Sequence, residues 1–260
     1  MHRMNLLAVD IGNTMVDLGF FHGKRLVYTV RIPTGKCRTA AGFLKLFPKN
    51  SRKSLAGLRS AYASVVPRVE KALRIAAKKL TGCEPYAVGP KSPLGFRVRY
   101  RPLASLGRDR LAAAAGAVEL AGTPVIVVDF GTAITVDAVS RRGVFLGGAI
   151  APGPALSARA LARGTARLPL ANLRPPRTAI GGSTRECLSS GIVMGLASLA
   201  DGLVSRMAGE MREKSVAVLA TGGAARLIAP YSRGRWKVVP DLVLRGIRAV
   251  AQRTAVEKRV

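Results

Sequence analysis

The sequence predicts an α/β fold built from two copies of one domain, and three observations carry that expectation. Residues 5–14 read NLLAVDIGNT and residues 124–132 read PVIVVDFGT. Each is a short apolar run ending in Asp-x-Gly followed by Asn or Thr, the pattern of a buried strand that breaks into a phosphate-cradling turn. The two copies then continue in step. An alternating stretch, a glycine hairpin and a second stretch follow at residues 15–21, His22-Gly23-Lys24 and 25–32, and again at residues 133–139, 140–143 and 144–150. Helical segments alternate with strands elsewhere in the chain, so a duplicated domain with a nucleotide cleft between its halves accounts for the whole pattern.

The remaining elements follow in order. Residues 40–47 form a short helix, residues 60–66 a strand, and residues 67–80 an amphipathic helix that opens on Pro67, whose fixed φ suits a first turn. Residues 86–88 and 96–100 are strands, and residues 109–120 an alanine-rich helix. The second copy adds helices at residues 154–163 and 184–212, the latter open to breaks at Gly191, Gly195 or Gly202. A strand at residues 216–221 ends in Gly222-Gly223, and residues 240–253 close the pattern as a helix. The predicted domains are residues 1–121 and 122–260, with the boundary near Gly122.

Composition permits this reading. The chain has 260 residues, enough for one large or two modest cores, and 48% hydrophobic content argues against disorder. Cys37, Cys83 and Cys187 lie far apart, an odd count without metal-ligand spacing, which points to a reducing compartment and buried thiols. His2 and His22 sit where a triad or metal site is not expected. No apolar run approaches a membrane span, and the run before Asp10 is a poor signal-peptide core, so the expected address is the cytoplasm. The net charge of +28 favours anionic ligands of any kind. Because the basic residues are spread along the chain, a generally solvated basic surface accounts for them better than a dedicated nucleic-acid face.

The phosphate chemistry can be narrowed. Neither a Gly-x-x-x-x-Gly-Lys-(Ser/Thr) string nor a Gly-x-Gly-x-x-Gly opening a helix is present. What remains is a site made of two hairpin turns whose backbone N–H groups and Asn or Thr side chains surround a polyphosphate. Asp10 and Asp129, at the ends of their strands, then hold cations, since bare carboxylate and phosphate repel.

These residues resemble a known family. The paired turns are similar to those of the superfamily that joins acetate and sugar kinases, heat-shock ATPases and actin, built from duplicated ribonuclease-H-like domains. Within it the chain resembles the type III pantothenate kinases. The matching segments are Asp10-Ile-Gly-Asn-Thr14, Tyr100 followed by Gly107-Arg-Asp-Arg110, Asp129-Phe-Gly-Thr132 and Gly147-Gly-Ala-Ile-Ala-Pro-Gly153, supported by Leu168-Pro169, Ile180-Gly-Gly-Ser-Thr184, Gly191 and Thr221-Gly-Gly223. The resemblance implies ATP-dependent phosphorylation of the primary hydroxyl of pantothenate to 4′-phosphopantothenate, the first step of coenzyme A biosynthesis, by a homodimer that uses Mg²⁺ and a monovalent cation, K⁺ or NH₄⁺.

The same resemblance implies roles. Asp109 is the general base. Asp10, Ile11, Gly12, Asn13, Thr14, Met15, Val16, Asp17, Gly131, Thr132 and Gly222 surround ATP, with Asp10 also a Mg²⁺ partner and Asp129 the monovalent-cation ligand. Tyr100, Gly107, Arg108, Asp109, Arg110 and Thr184 contact pantothenate, Arg110 through its carboxylate, a task suited to the guanidinium fork. Departures from the family pattern fall at Met15, Arg108, Ala113 and Ser183 and in the Arg-Pro-Leu-Ala-Ser run after Tyr100. They leave a second reading open: a non-catalytic or substrate-shifted paralogue with a regulatory or nucleic-acid-associated role, for which the charge is the main argument.

Overall fold

The structure is a computed structural model that describes residues 5–47, 55–234 and 236–257; His2 lies outside them. The chain divides into two compact units, Met1–Leu120 with Leu242–Val260, and Ala121–Asp241.

The first unit is a sheet in the order β3-β2-β1-β4-β5, made of β1 (Leu6–Ile11), β2 (Met15–His22), β3 (Arg25–Pro33), β4 (Arg59–Ser64) and β5 (Tyr86–Ala87). β1 pairs antiparallel with β2 and parallel with β4. It reads as a continuous apolar run because both of its faces are covered. Leu7, Val9 and Ile11 enter a core shared with α1 (Ala40–Lys45) and α2 (Pro67–Thr81), through Phe43, Val69, Leu73 and others. A further short strand, β6, is limited to Arg97–Val98, less than the five residues expected there. α3 (Arg108–Ala121) then runs to the end of the unit.

In the second unit, β7 (Val125–Phe130), β8 (Ala133–Val139), β9 (Val144–Pro152), β10 (Ala217–Thr221) and β11 (Lys237–Val238) stand in the order β11-β10-β7-β8-β9. β7 pairs antiparallel with β8 and parallel with β10. Strand for strand this is the first sheet again. The copies even share an irregularity, a register shift between Phe20 and Phe21 in β2 and between Ala138 and Val139 in β8. The helices are α4 (Pro154–Gly164), α5 (Thr184–Glu210) and the short α6 (Ala225–Ile228), which no sequence signal announced.

The last helix, α7 (Leu242–Glu257), belongs with the first unit, although sequence order assigns it to the second half. It packs on β1, β2 and β4. Its contact with α3 is backbone to backbone: a Cβ on Gly246 would lie 1.7 Å from the Ala112 carbonyl oxygen, and one on Gly116 2.5 Å from that of Leu242. Nearby, the buried Arg248 guanidinium pairs with Glu119 and lies 6.0 Å from the centre of the Phe21 ring. Every one of these partners is in the first unit, which is why the chain returns to it.

Two further expectations are corrected. α5 is unbroken over 27 residues and, by length and composition, apolar enough to cross a membrane, contrary to the reading that no such stretch exists. One side of it, with Ile192, Val193, Leu196, Ala197 and Ala200, fills the core of the second unit. Its glycines at 191, 195 and 202 lie on the other side, where nothing forces a break. Among the cysteines only Cys37 is buried, whereas Cys83 and Cys187 are exposed; all three are free thiols.

Candidate active site

The first phosphate turn links β1 to β2. The Gly12 N–H donates to the Met15 carbonyl at 3.0 Å, and the turn is fixed from behind by Thr34, just past β3. The Thr34 N–H donates to the Thr14 carbonyl at 3.0 Å, and its hydroxyl donates to the Gly12 carbonyl at 2.8 Å. With those carbonyls held, Asn13 and Thr14 stand exposed at the tip. Ile11 and Val16 are fully buried, so they can offer a phosphate only backbone. Asp10 stands directly opposite Asp17 in the β1–β2 register, hence on the same face of the sheet. Burial pushes the Asp17 carboxyl up from its ordinary value, against the pull of Arg31 at 3.4 Å.

The second turn repeats this frame. Gly131 N–H donates to the Ala133 carbonyl at 3.1 Å, and Gly153, at the end of β9, donates to the Thr132 carbonyl at 3.1 Å. A Cβ on Gly153 would come within 2.3 Å of the carbonyl oxygens of both Gly131 and Thr132, so only glycine can close the turn this tightly. Asp129 faces Thr135 across the β7–β8 pair. Its carboxylate is cradled by two glycines. A Cβ on Gly222 would lie 2.3 Å from Asp129 Oδ1 and one on Gly131 3.2 Å from it, and the φ of +91° at Gly222 is itself a glycine conformation.

The start of α3 gathers the residues expected around the acceptor. Arg110 N–H donates to Asp109 Oδ1 at 2.8 Å, and a Cβ on Gly107 would lie 2.4 Å from that oxygen. Burial raises the pKa of Asp109 above its ordinary value, while the Arg110 N–H and guanidinium oppose the rise. A carboxylate in this state accepts a proton more readily than one in water. Arg110 is buried, its guanidinium 5.6 Å from the centre of the Tyr100 ring. Tyr100, Gly107, Asp109 and Arg110 therefore converge, but Arg108 leaves them: its Nη1 lies 3.2 Å from Oε2 of Glu70 on α2. The buried Tyr62 hydroxyl, with a pKa pushed up to about 12 by burial and by Glu70, donates to Oε1 of the same carboxylate at 2.7 Å.

Thr184 is the first residue of α5 rather than its cap. Ser183 is the cap, accepting the Glu186 N–H at 3.4 Å. Thr184 lines a groove of about 620 Å³ with Ser157 and Leu161 of α4 and Leu188 and Gly191 of α5. Sequence reasoning assigned nothing to Thr34, Gly153 or Glu70. Gly153 lay within a matched segment; Thr34 had only the Pro33-Thr34-Gly35 punctuation after β3, and Glu70 carried no signal. Among the described residues, no group of three or more His, Cys, Asp or Glu is placed to hold a metal.

Comparison with known proteins agrees across the chain. The family model for type III pantothenate kinase matches residues 6–206. A type III pantothenate kinase of Moorella thermoacetica is 39% identical over 255 residues, 95% of this chain and 99% of the relative. Among solved structures, a conserved Campylobacter jejuni protein assigned to the Baf family of transcriptional activators superposes with a TM-score of 0.64 at 21% identity, over 96% of this chain and 99% of that one. A ROK family glucokinase from Streptomyces griseus, solved with glucose and AMPPNP, gives 0.50 at 15% identity over 95% and 98%. At such identities the two structures speak for the fold alone.

Proposed function

The chain belongs to the type III pantothenate kinase family, and we propose that it transfers the γ-phosphoryl group of ATP to the primary hydroxyl of pantothenate with Asp109 as the general base. The observation that carries this reading is the half-buried Asp109 carboxylate at the start of α3, gripped on one oxygen by the Arg110 N–H. As the hydroxyl oxygen attacks the γ-phosphorus, its proton passes to Asp109. The new O–P bond forms as the bond to the β-phosphate oxygen breaks, and ADP departs. Phosphoryl transfer asks little more of the protein than position and charge neutralisation, so one well-placed carboxylate suffices.

Arg110 pairs with the pantothenate carboxylate, its guanidinium kept in place by Tyr100. Tyr100, Gly107 and Thr184 complete the acceptor contacts. Backbone N–H groups and the Asn13, Thr14 and Thr132 side chains contact the phosphates, with Asp10, Ile11, Gly12, Met15, Val16, Asp17, Gly131 and Gly222 around them. The donor chemistry fits the expected cations. Asp10 and Asp17, facing each other, present hard oxygens suited to Mg²⁺, and the glycine-cradled Asp129 presents a single carboxylate suited to K⁺ or NH₄⁺. Bound there, such ions neutralise charge that builds on the transferring phosphate.

A homodimer is supported by the family resemblance. The three free cysteines support a reducing, cytoplasmic address. The test of the activity is a coupled assay of ADP release with ATP and Mg²⁺. Release is expected only when pantothenate is added, and equal rates with and without it would sink the reading.

A further inference from the structure

Arg108 immediately precedes the proposed base, and a guanidinium on that neighbour is long enough to reach the Asp109 carboxylate. It points elsewhere. Arg108 Nη1 lies 3.2 Å and 3.4 Å from the two carboxylate oxygens of Glu70, and Glu70 Oε1 accepts the Tyr62 hydroxyl at 2.7 Å. Three elements are thereby linked, β4 through Tyr62, the first turn of α2 through Glu70 and the first turn of α3 through Arg108. Tyr62 is fully enclosed in the core, so the hydroxyl that donates to Glu70 has one fixed position. The Arg108–Glu70 pair itself is only partly buried, with side-chain exposures of 37% and 24%. Pairs of that kind add little to stability, so a contribution to folding is a poor account of it.

We propose that Glu70, steadied by Tyr62, is a positioning residue for phosphoryl transfer that holds the Arg108 guanidinium off Asp109, leaving the base beside the charge of Arg110. The proposal rests on Asp109 being the base. It also reassigns Arg108, expected from the sequence to contact pantothenate, as the arm of this link. The charged and titratable groups facing it are Arg108, Arg74 and Tyr62 around Glu70, and Arg110 beside Asp109. Released from Glu70, Arg108 would bring a second positive charge to Asp109, favour its ionised form and weaken it as a proton acceptor.

The experiment is a double-mutant cycle of Glu70→Gln and Arg108→Ala, read by kcat, by KM for each substrate and by the kcat–pH profile. In parallel, the Asp109 carboxyl is titrated by ¹³C NMR in each protein. Glu70→Gln is expected to lower kcat about tenfold, a modest part of what a general base supplies, with KM for ATP unchanged. The Asp109 titration and the acid limb of kcat should both move to lower pH. Adding Arg108→Ala should return the titration to its wild-type position, a non-additivity that a purely structural link does not produce. Tyr62→Phe, which removes only the hydroxyl donor, should give a smaller shift in the same direction. The proposal is overturned if Glu70→Gln leaves the titration where it was, or if Arg108→Ala raises KM for pantothenate and adds fully to Glu70→Gln. Failure of the base assignment is separable: Asp109→Asn would then keep full turnover, while the NMR titration in the wild-type background would still report whether Glu70 restrains Arg108.

Discussion

The two phosphate turns share a backbone and differ in their side chains. In each, the glycine N–H closes the hairpin onto the carbonyl of the first residue of the next strand, and the residue at the end of the third strand donates its N–H to the tip. That last residue is Thr34 in the first copy, which adds a hydroxyl bond to Gly12, and Gly153 in the second, where no side chain fits. The strand-end aspartates have parted further: Asp10 faces a second carboxylate, Asp17, and Asp129 faces the hydroxyl of Thr135. Duplication thus preserved what the hydrogen-bond geometry demands and left free what the ligand chemistry selects. The difference matches the roles proposed for them, Asp10 toward Mg²⁺ and Asp129 toward a monovalent cation.

That contrast can be broken in order of expected effect. Asp10→Asn should lower turnover about a hundredfold at fixed Mg²⁺, the several kcal/mol that a lost charge clamp on a transferring phosphoryl group costs. A Mg²⁺ titration of the rate checks it, and a larger Mg²⁺ requirement in Asp129→Asn than in Asp10→Asn would invert the proposed roles. Next, Asp129→Asn should remove stimulation by K⁺ or NH₄⁺, a change of about tenfold if the lost carboxylate contact contributes about 1.4 kcal/mol. Gly222→Ala should do the same by direct displacement, because its methyl would lie 2.3 Å from Asp129 Oδ1. Retained K⁺ stimulation in both variants would remove the cradle from the account. A smaller effect, a few-fold rise in the Mg²⁺ needed for half-maximal rate, is expected of Asp17→Thr, which gives the first turn the facing residue of the second, at a fraction of the several kcal/mol a metal clamp supplies.

The pH dependence sharpens the contrast with the base itself. Burial raises the Asp109 pKa above the ordinary 3.8. As the proposed base, Asp109 must be ionised to accept a proton, so kcat should fall on the acid side through a limb that lies above that value. The sign for stability is opposite to that of a salt-bridged carboxylate. A raised folded-state pKa favours the fold at low pH, and this contribution is lost as pH rises through the folded value. Asp109→Asn should therefore melt at a higher temperature than the wild type at neutral pH, with the gain shrinking as the pH is lowered. Asp17, also raised by burial, acts in the same direction. A kcat profile flat through the acid range would dissociate the base from the limb.

Much of this was legible in the sequence. The two apolar runs ending in Asp-x-Gly, the hairpin glycines Gly23 and Gly143 and the alternation after them predict β1 to β3 and β7 to β9 nearly to the residue. Local pattern is sufficient there, since hairpins are set by neighbours in the chain. The return of α7 was not legible. It depends on Gly246 meeting Ala112 and on Arg248 meeting Glu119, pairs far apart in sequence whose residue types carry no marker. The continuity of α5 escaped for a related reason, as glycine weakens an isolated helix but costs only about 1 kcal/mol each where one side is packed in a core. Within the site, Gly107 and Asp109 stood out by motif, whereas the pairing of Arg108 with Glu70 joins two helices and carries no local marker.

In the proposed division of labour the two turns serve the nucleotide and its cations while one carboxylate, carried by the first unit, takes the proton. Its most direct test is pantothenate-dependent ADP release in Asp109→Asn beside the wild type, with ATP affinity measured by calorimetry on both proteins. Turnover in Asp109→Asn is expected to fall by about 10²–10⁴-fold, the range for loss of a general base, with ATP affinity unchanged. Turnover at the wild-type rate with ATP affinity intact would contradict it.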